Sequence, residues 1–195
     1  MKLKLAVLAL VALTSTVAHL KAADTYNIDP AHSSVGFAVN HMVINTVRGR
    51  FDAFTGSATL DNNALQSATG TIQAKSISTG IERRDNHLRS ADFFDVATFP
   101  TITFQSKRAE KKGDETVLVG DFTMHGVTKE ISLPVTVKGP IKAMGGTRIG
   151  IEAKTKLNRK DYGLKYNQML ETGGMMVGEE IEIQINAEAV KAAAN

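Results

Sequence analysis

Val117-Leu118-Val119-Gly120-Asp121-Phe122-Thr123-Met124-His125-Gly126-Val127-Thr128-Lys129-Glu130-Ile131-Ser132-Leu133-Pro134-Val135-Thr136-Val137-Lys138 reads as two strands joined by a tight turn. Leu118, Phe122 and Met124 fall on one face of the first run, and Ile131, Leu133, Val135 and Val137 on one face of the second. Successive side chains of a strand point to opposite faces, so this alternation marks β structure with one apolar side. Gly126-Val127-Thr128 leaves room only for a hairpin, which makes the two strands antiparallel neighbours.

The same pattern extends in both directions. Upstream, Val35, Phe37 and Val39 share a face, Val47 to Leu60 forms a long extended run, and Asp61-Asn62-Asn63 is a turn signal before Ala68 to Ile77. Ile102 and Phe104 align in Thr101 to Lys107, and Lys111-Lys112-Gly113-Asp114 turns the chain. Downstream, Met144-Gly145-Gly146 turns again, and Ile149, Ile151, Ala153 and Leu157 mark a strand. A long irregular loop, Arg159 to Met176, precedes a closing strand with Ile181, Ile183 and Ile185 aligned. The total is about eight strands, nearly all joined by short connections. The expected fold is all-β, an eight-stranded antiparallel up-and-down, lipocalin-like barrel, because closure removes the sheet edges. A barrel of that size can hold one small ligand. Alternation alone does not say which face lines the interior.

One segment breaks the pattern, predicting a short helical insert near residues 80–95. Thr79 and Glu82 have capping-box spacing, and a helix is expected to about Ser90. Asp85 and Arg89 are spaced for an i,i+4 pair; Ile81 and Leu88 share one side, and Phe93 and Phe94 follow.

The first residues are expected to be a secretory signal rather than fold. Lys2 and Lys4 precede the apolar run Leu5 to Leu13, and small residues follow, which suggests a leader over 1–23 and a barrel domain over 24–195. The run is too short for a membrane span, so no span is expected in the mature chain. The formal charge of +3 reflects 23 basic and 20 acidic residues, and Lys2, Lys4 and Lys21 precede Asp24. The chain from Asp24 on is therefore formally neutral, which argues against nucleic-acid binding. Cysteine is absent, excluding thiol catalysis and Cys-ligated metal. A leader on a disulfide-free chain fits a bacterial periplasm.

Several motifs together resemble the YceI-like family of secreted bacterial proteins. They are His32-Ser33-Ser34-Val35-Gly36-Phe37, His41-Met42, Arg50-Phe51 with Phe54-Thr55-Gly56, and the block Arg84-Asp85-Asn86-His87-Leu88-Arg89-Ser90-Ala91-Asp92-Phe93-Phe94-Asp95. Pro100 to Ser106, Gly120 to Lys129 and Arg159-Lys160-Asp161-Tyr162-Gly163 complete the set. The resemblance implies an extended lipocalin-like barrel holding a long isoprenoid lipid or quinone, with other members holding fatty amides. It also makes a homodimer an expectation.

Shelter of an apolar chain needs no polar hot spot, since burial yields roughly 25 cal/mol per Å². A strand of about thirteen residues spans on the order of 40 Å, long enough for a linear tail. Candidates for the cavity wall are Phe37, Val39, Phe51, Phe54 and Ile72, then Leu88, Phe93 and Phe94 of the insert. Ile102, Phe104, Phe122, Met124, Ile151 and Ile183 complete the wall. Large aromatics in β proteins are also ordinary core residues, and in a hollow barrel the two roles merge. Arg84, His87 and Arg89 are head-group candidates, the guanidinium fork suiting phosphate; the alternative is that the charges pair among themselves and the insert plugs one barrel end. Met169, Met175, Met176, Tyr162 and Tyr166 make the last loop either a flexible lid or an ordinary loop.

No Gly-x-Ser-x-Gly, Walker, His-Glu-x-x-His or Rossmann motif is present. His32, His41, His87 and His125 lack ligand spacing, so no metal and no cofactor beyond a bound lipid or quinone is expected. The expected function is periplasmic binding, transport or storage of an isoprenoid-type lipid, without catalysis. Two alternatives stay open: an enzyme acting on a bound molecule with His87 or His125 as base, and a structural or stress-related module that binds a partner.

Overall fold

The computed structural model describes residues 23–113, 115–171 and 173–193. The leader expected over 1–23 lies outside the described residues but for Ala23.

Ten strands form one antiparallel sheet: β1 (Asp24–His41), β2 (Asn45–Phe51), β3 (Phe54–Asp61), β4 (Ala64–Gln73), β5 (Ile77–Ser78), β6 (Thr101–Lys112), β7 (Glu115–Met124), β8 (Val127–Ala143), β9 (Gly146–Asn158) and β10 (Val177–Lys191). Among the described residues one α-helix, α1 (Glu82–Arg89), interrupts them between β5 and β6. Eight strands close a ring in the order β1-β3-β4-β6-β7-β8-β9-β10, with β10 pairing back onto β1. The expected barrel is thus observed. β2 and β5 are added at one end, β2 pairing with the second half of β1 and β5 with the end of β2.

Two local features shape the wall. The run expected to be continuous from Val47 to Leu60 breaks at Asp52-Ala53 into β2 and β3. β1 shifts register against β10 between Asp29 and Ser34. The shift changes the phase of the alternation: Tyr26 and Ile28 pack inward before it, Val35 and Phe37 after it. Asp29 anchors the bulge, accepting from the Arg148 guanidinium at 2.9 Å and meeting His32 Nδ1 at 2.9 Å. Those bonds, Arg148 first, hold the Asp29 carboxyl down at about 2.

Turn chemistry explains most hairpins. Asn62 and Asn63 (φ 46° and 65°), His125 and Gly126 (52° and 74°), and Met144 and Gly145 (52° and 76°) put both central residues in the left-handed region. Met42 and Val43 do the same at the β1–β2 tip, with φ 53° and 65°. For a β-branched residue such as Val43 that conformation is strained.

The interior divides into two apolar clusters. One, at the α1 end, contains Phe51, Ile77, Phe93, Phe94, Phe122, Tyr162 and Leu164. The other contains Tyr26, Leu60, Leu65, Leu118, Leu133 and Ile149. Phe104 and Ile185 touch both and mark the waist.

The insert departs from its predicted bonding. Ile81, not Thr79, occupies the N-cap position and makes no side-chain cap. The buried Asp85 reaches back instead, accepting from the Thr79 backbone N–H at 2.8 Å and from the Thr79 hydroxyl. Asp85 and Arg89 do not pair as expected; Arg89 donates to the carbonyls of Lys75 and Ile77 at 2.8 and 2.7 Å. Burial decided this, because a carboxylate under the helix needs close donors and the nearest were backbone and hydroxyl groups.

Candidate functional site

A cavity of about 220 Å³ runs along the barrel axis between the two clusters. Its wall follows the odd positions of β9, from Ile151 through Ala153 and Thr155 to Leu157, and Arg159, the first residue of the 3-10 turn after the strand, also borders it. The six residue steps from Ile151 to Leu157 rise about 20 Å along the strand at ~3.3 Å each. The lining therefore extends along the strands from one apolar cluster to the other, which suits an extended apolar chain.

All fourteen wall candidates border it: Phe37, Val39, Phe51, Phe54, Ile72, Leu88, Phe93, Phe94, Ile102, Phe104, Phe122, Met124, Ile151 and Ile183. Ring closure put the apolar face of each strand inside. Several of these side chains, Phe37 and Ile72 among them, are only partly buried because they face open interior space rather than packed neighbours. One stretch of wall is thin. Gly56 opposes Gly70 and Ala58 opposes Ala68 across β3 and β4. A Cβ on Gly70 would meet nothing closer than the Thr55 carbonyl at 3.9 Å, so a side chain there would enter the cavity.

The α1 end is closed by two layers. Phe94 packs edge-on against Phe51 at 5.9 Å between centroids, and Leu88 packs in the same cluster. Outside it, His87, Phe93 and Tyr166 form a mutual aromatic contact, each centroid pair within 5.1 Å. Tyr166 belongs to the strap between Leu164 and Val177, so the strap rests on the insert. The strap is pinned to the β1–β2 tip by the Met42 N–H donating to the Met176 carbonyl at 2.8 Å. Met42, Val43, Ile44, Met169 and Met175 make this end an exposed apolar tip, with Val43 76% and Ile44 84% exposed.

The structure brings none of the three head-group candidates to the cavity. Arg84 donates to the Thr79 hydroxyl at 2.7 Å and the Thr79 carbonyl at 3.1 Å. Arg89 staples α1 to the segment before it. His87 Nε2 lies 2.8 Å from Asp92 on the outside of the insert, both well exposed. His125 Nδ1 lies 3.2 Å from the Tyr162 carbonyl and its ring packs tilted against Phe99 at 4.4 Å between centroids, also off the cavity wall. Among the described residues no cluster of three or more potential metal ligands occurs, and no helix is long and apolar enough to cross a membrane.

Residue-level reading missed Arg159, the one charged residue on the wall among the described residues. It is 2% exposed and donates from Nε to Gly178 O at 2.8 Å, from Nη1 to Leu164 O at 2.6 Å and from Nη2 to Val177 O at 3.3 Å. Burial pushes its pKa down, and Glu179 partly opposes that. The signal was available: continuing the inward alternation of Ile151, Ala153 and Leu157 by one step reaches Arg159.

Fold and site together define a closed antiparallel barrel enclosing an elongated apolar cavity, with one end covered by a helical insert and a strap. The YceI-like domain family model matches residues 26–189, and the chain belongs to that family. It is 39% identical over 167 residues to the UPF0312 protein SA2479 of Staphylococcus aureus (strain N315), covering 84% of this chain and 95% of that protein. Among solved structures, the Campylobacter jejuni YCEI protein superposes with a TM-score of 0.68 at 28% identity, covering 79% of this chain and 90% of that one. Burkholderia cenocepacia BcnA shares the fold with a TM-score of 0.71 at 23% identity, covering 83% of this chain and 98% of that chain. A polyisoprenoid binding domain from Saccharophagus degradans, implicated in plant cell wall breakdown, shares it with a TM-score of 0.65 at 18% identity, covering 86% and 98% of the two chains.

Proposed function

We propose that this protein binds one isoprenoid-type amphiphile, polyprenyl or quinone-like, in its barrel and carries or stores it in the periplasm without transforming it. The observation that carries the reading is the almost wholly apolar cavity, lined from one apolar cluster to the other. Such a space is costly to leave empty and favours an extended hydrocarbon, whose burial contributes roughly 25 cal/mol per Å². The polyisoprenoid-binding domain of the same fold supports the tail chemistry. The leader-like sequence before Asp24 supports export. The exposed Met42–Ile44 tip and its Met-bearing strap support exchange with a lipid surface, since flexible thioether side chains adapt to irregular apolar partners.

Native mass spectrometry of the full chain expressed in a Gram-negative host, followed by organic extraction, tests the reading. One apolar chain per protein is expected, with the protein in the periplasmic fraction. Gly70→Phe should place a ring in the cavity and lower retained lipid at least tenfold, with an unchanged β-sheet circular dichroism spectrum. A wild-type protein that carries no lipid and takes up neither farnesol nor farnesoic acid would overturn the binding reading, and a chain retained in the cytoplasm would overturn the location.

A further inference from the structure

We propose that the β1–β2 apex and the strap turn beside it dock this protein on a lipid bilayer, with Val43, Ile44 and Met169 inserted among the acyl chains. This rests in part on the binding reading above and names the surface with which cargo is exchanged.

Eight large hydrophobic residues are exposed among the described residues, and five of them, Met42, Val43, Ile44, Met169 and Met175, lie on these two segments. Single exposed apolar side chains are ordinary on a protein surface, but a group of them marks an interaction site. The two segments form one apex. The Met42 N–H donates to the Met176 carbonyl at 2.8 Å. A Cβ placed on Gly174 would lie 3.5 Å from Val43 Cγ2 and 3.6 Å from Leu170 Cδ1, so the hairpin rests on the strap turn. Met169 and Met175 pair across that turn. The backbone adds a second, independent sign. The left-handed pairs at the other three hairpins end in Asn63, Gly126 and Gly145, whereas here Met42 and Val43 take that conformation. Asn or Gly would sit there without strain. A β-branched aliphatic kept against its own backbone preference points to a use for the side chain.

Charge, height and continuity point to a bilayer as the occupant. From Val39 to Val47 the chain carries no Lys, Arg, Asp or Glu. Val39 pairs with Val47, Asn40 with Thr46 and His41 with Asn45. Three such steps at ~3.3 Å per residue raise the uncharged apex about 10 Å, and interfacial apolar elements reach ~5–10 Å into a membrane. Arg48 follows at the foot of the apex and Lys165 at the start of the strap, both exposed. Glu182, the carboxylate that Arg48 influences, is bonded to Lys154. Cationic side chains at that level extend toward lipid phosphates; Glu171 is the one carboxylate between Tyr166 and Gly178. Val39, Val177 and Ile181 also line the cavity, so the apolar apex continues into the cavity wall and joins hydrocarbon to hydrocarbon. The apex is convex. A folded partner would need a matching hollow, whereas fluid acyl chains close around any convex shape. The β8–β9 tip is the contrast: it exposes Ile141 and Met144, but Lys142 lies between them and neither borders the cavity.

The chain contains no tryptophan, so a single one reports its own surroundings. Ile44→Trp and Met144→Trp place it at the two hairpin tips, at positions 84% and 75% exposed. The full chain is mixed with vesicles of phosphatidylethanolamine and phosphatidylglycerol, with and without brominated acyl chains. The Ile44→Trp emission is expected to shift to the blue and to lose at least half its intensity to the brominated chains. Met144→Trp should do neither. Val43→Asp combined with Ile44→Asp should lower vesicle partitioning of the folded protein at least tenfold, Asp being tolerated in the left-handed region. An Ile44→Trp signal that ignores vesicles would overturn the proposal, as would an equal response at Met144→Trp or full partitioning of the double Asp variant. A blue shift that grows with protein concentration without vesicles, accompanied by dimers in sedimentation, would overturn it in favour of a second copy. None of these readings needs cargo. Protein that docks on vesicles yet yields no extractable lipid would sink the binding reading and leave this one standing.

Discussion

The two ends of this barrel are built from different materials. Away from α1, the interior is filled by Leu60, Leu65, Leu118, Leu133, Ile149 and small alanines, with Tyr26 the one aromatic buried there. Adjacent strands are joined at this end by tight hairpins, as at Asn62-Asn63 and Met144-Gly145. At the α1 end five of the twelve buried residues are aromatic, and the insert and the segment after β9 contribute Phe93, Phe94, Tyr162 and Leu164 alongside the ring. The ring's own strands supply the first cluster, while the insert and the segment after β9 add side chains to the second. One end reads as a permanent floor and the other as a cover.

The sharpest way to break this contrast is to hollow the floor. Leu118→Ala, at a side chain 1% exposed, should lower unfolding free energy by about 2–5 kcal/mol in denaturant titration. A loss below about 1 kcal/mol would mean that the floor is as loose as the cover.

A smaller and local effect is expected at Asp85. Removing its carboxylate leaves the Thr79 N–H and hydroxyl without their acceptor. Asp85→Ala should cost about 1–2 kcal/mol and speed amide exchange from Thr79 to Ser90. Amides of β7 and β8 should keep their protection; if they lost it equally, the insert would be part of one cooperative unit with the floor.

Acid should act on the bulge of β1. The Asp29 carboxyl is held at about 2 against an ordinary 3.8, so its contribution is complete above about pH 4 and is lost as pH falls through about 2. Asp29→Asn should flatten the stability profile in that window. An unchanged acid limb would show that the Arg148 contact is screened by solvent.

The smallest effect is expected at the tip. Val43→Asn or Val43→Gly relieves a left-handed β-branched residue and should raise stability by roughly 0.5–1 kcal/mol. Uptake of farnesoic acid from vesicles should slow in the same variants, because strain retained at an exposed apolar tip points to use of that tip. A variant both more stable and equally fast would assign the strain no role.

Legibility of the sequence differed strand by strand. In β9 and β10, Lys154 pairs with Glu182 and Lys156 with Glu180 on the outer face, so charge at even positions marked the odd ones as interior. In β4 both faces carry Ala, Gly, Ser or Thr, no charge distinguishes them, and the pairing with β3 shifts register between Thr59 and Leu60. The bulge after Asp29 reverses the phase within β1, which a strict period of two cannot anticipate. The insert was recognisable as a helix, yet its bonding was not: Asp85 and Arg89 found partners on Thr79, Lys75 and Ile77 because burial favoured backbone groups over a side-chain pair. Arg159 was reachable by extending the alternation, but it lies in the 3-10 turn beyond β9, where a strand pattern no longer applies.

By itself the sequence determined the strands, their antiparallel order and the helical interruption, because those follow from alternation, turn residues and connection length. It also set an apolar face on most strands. Only the tertiary structure decided that those faces enclose open space, that the charged residues of the insert turn away from it, and that a single buried guanidinium borders it. These outcomes depend on contacts between residues far apart in the chain, such as Met42 with Met176 and Arg159 with Gly178. Local periodicity makes a two-sided ribbon, but closing the ring is what turns one side into an interior and fixes which side chains are left facing the gap.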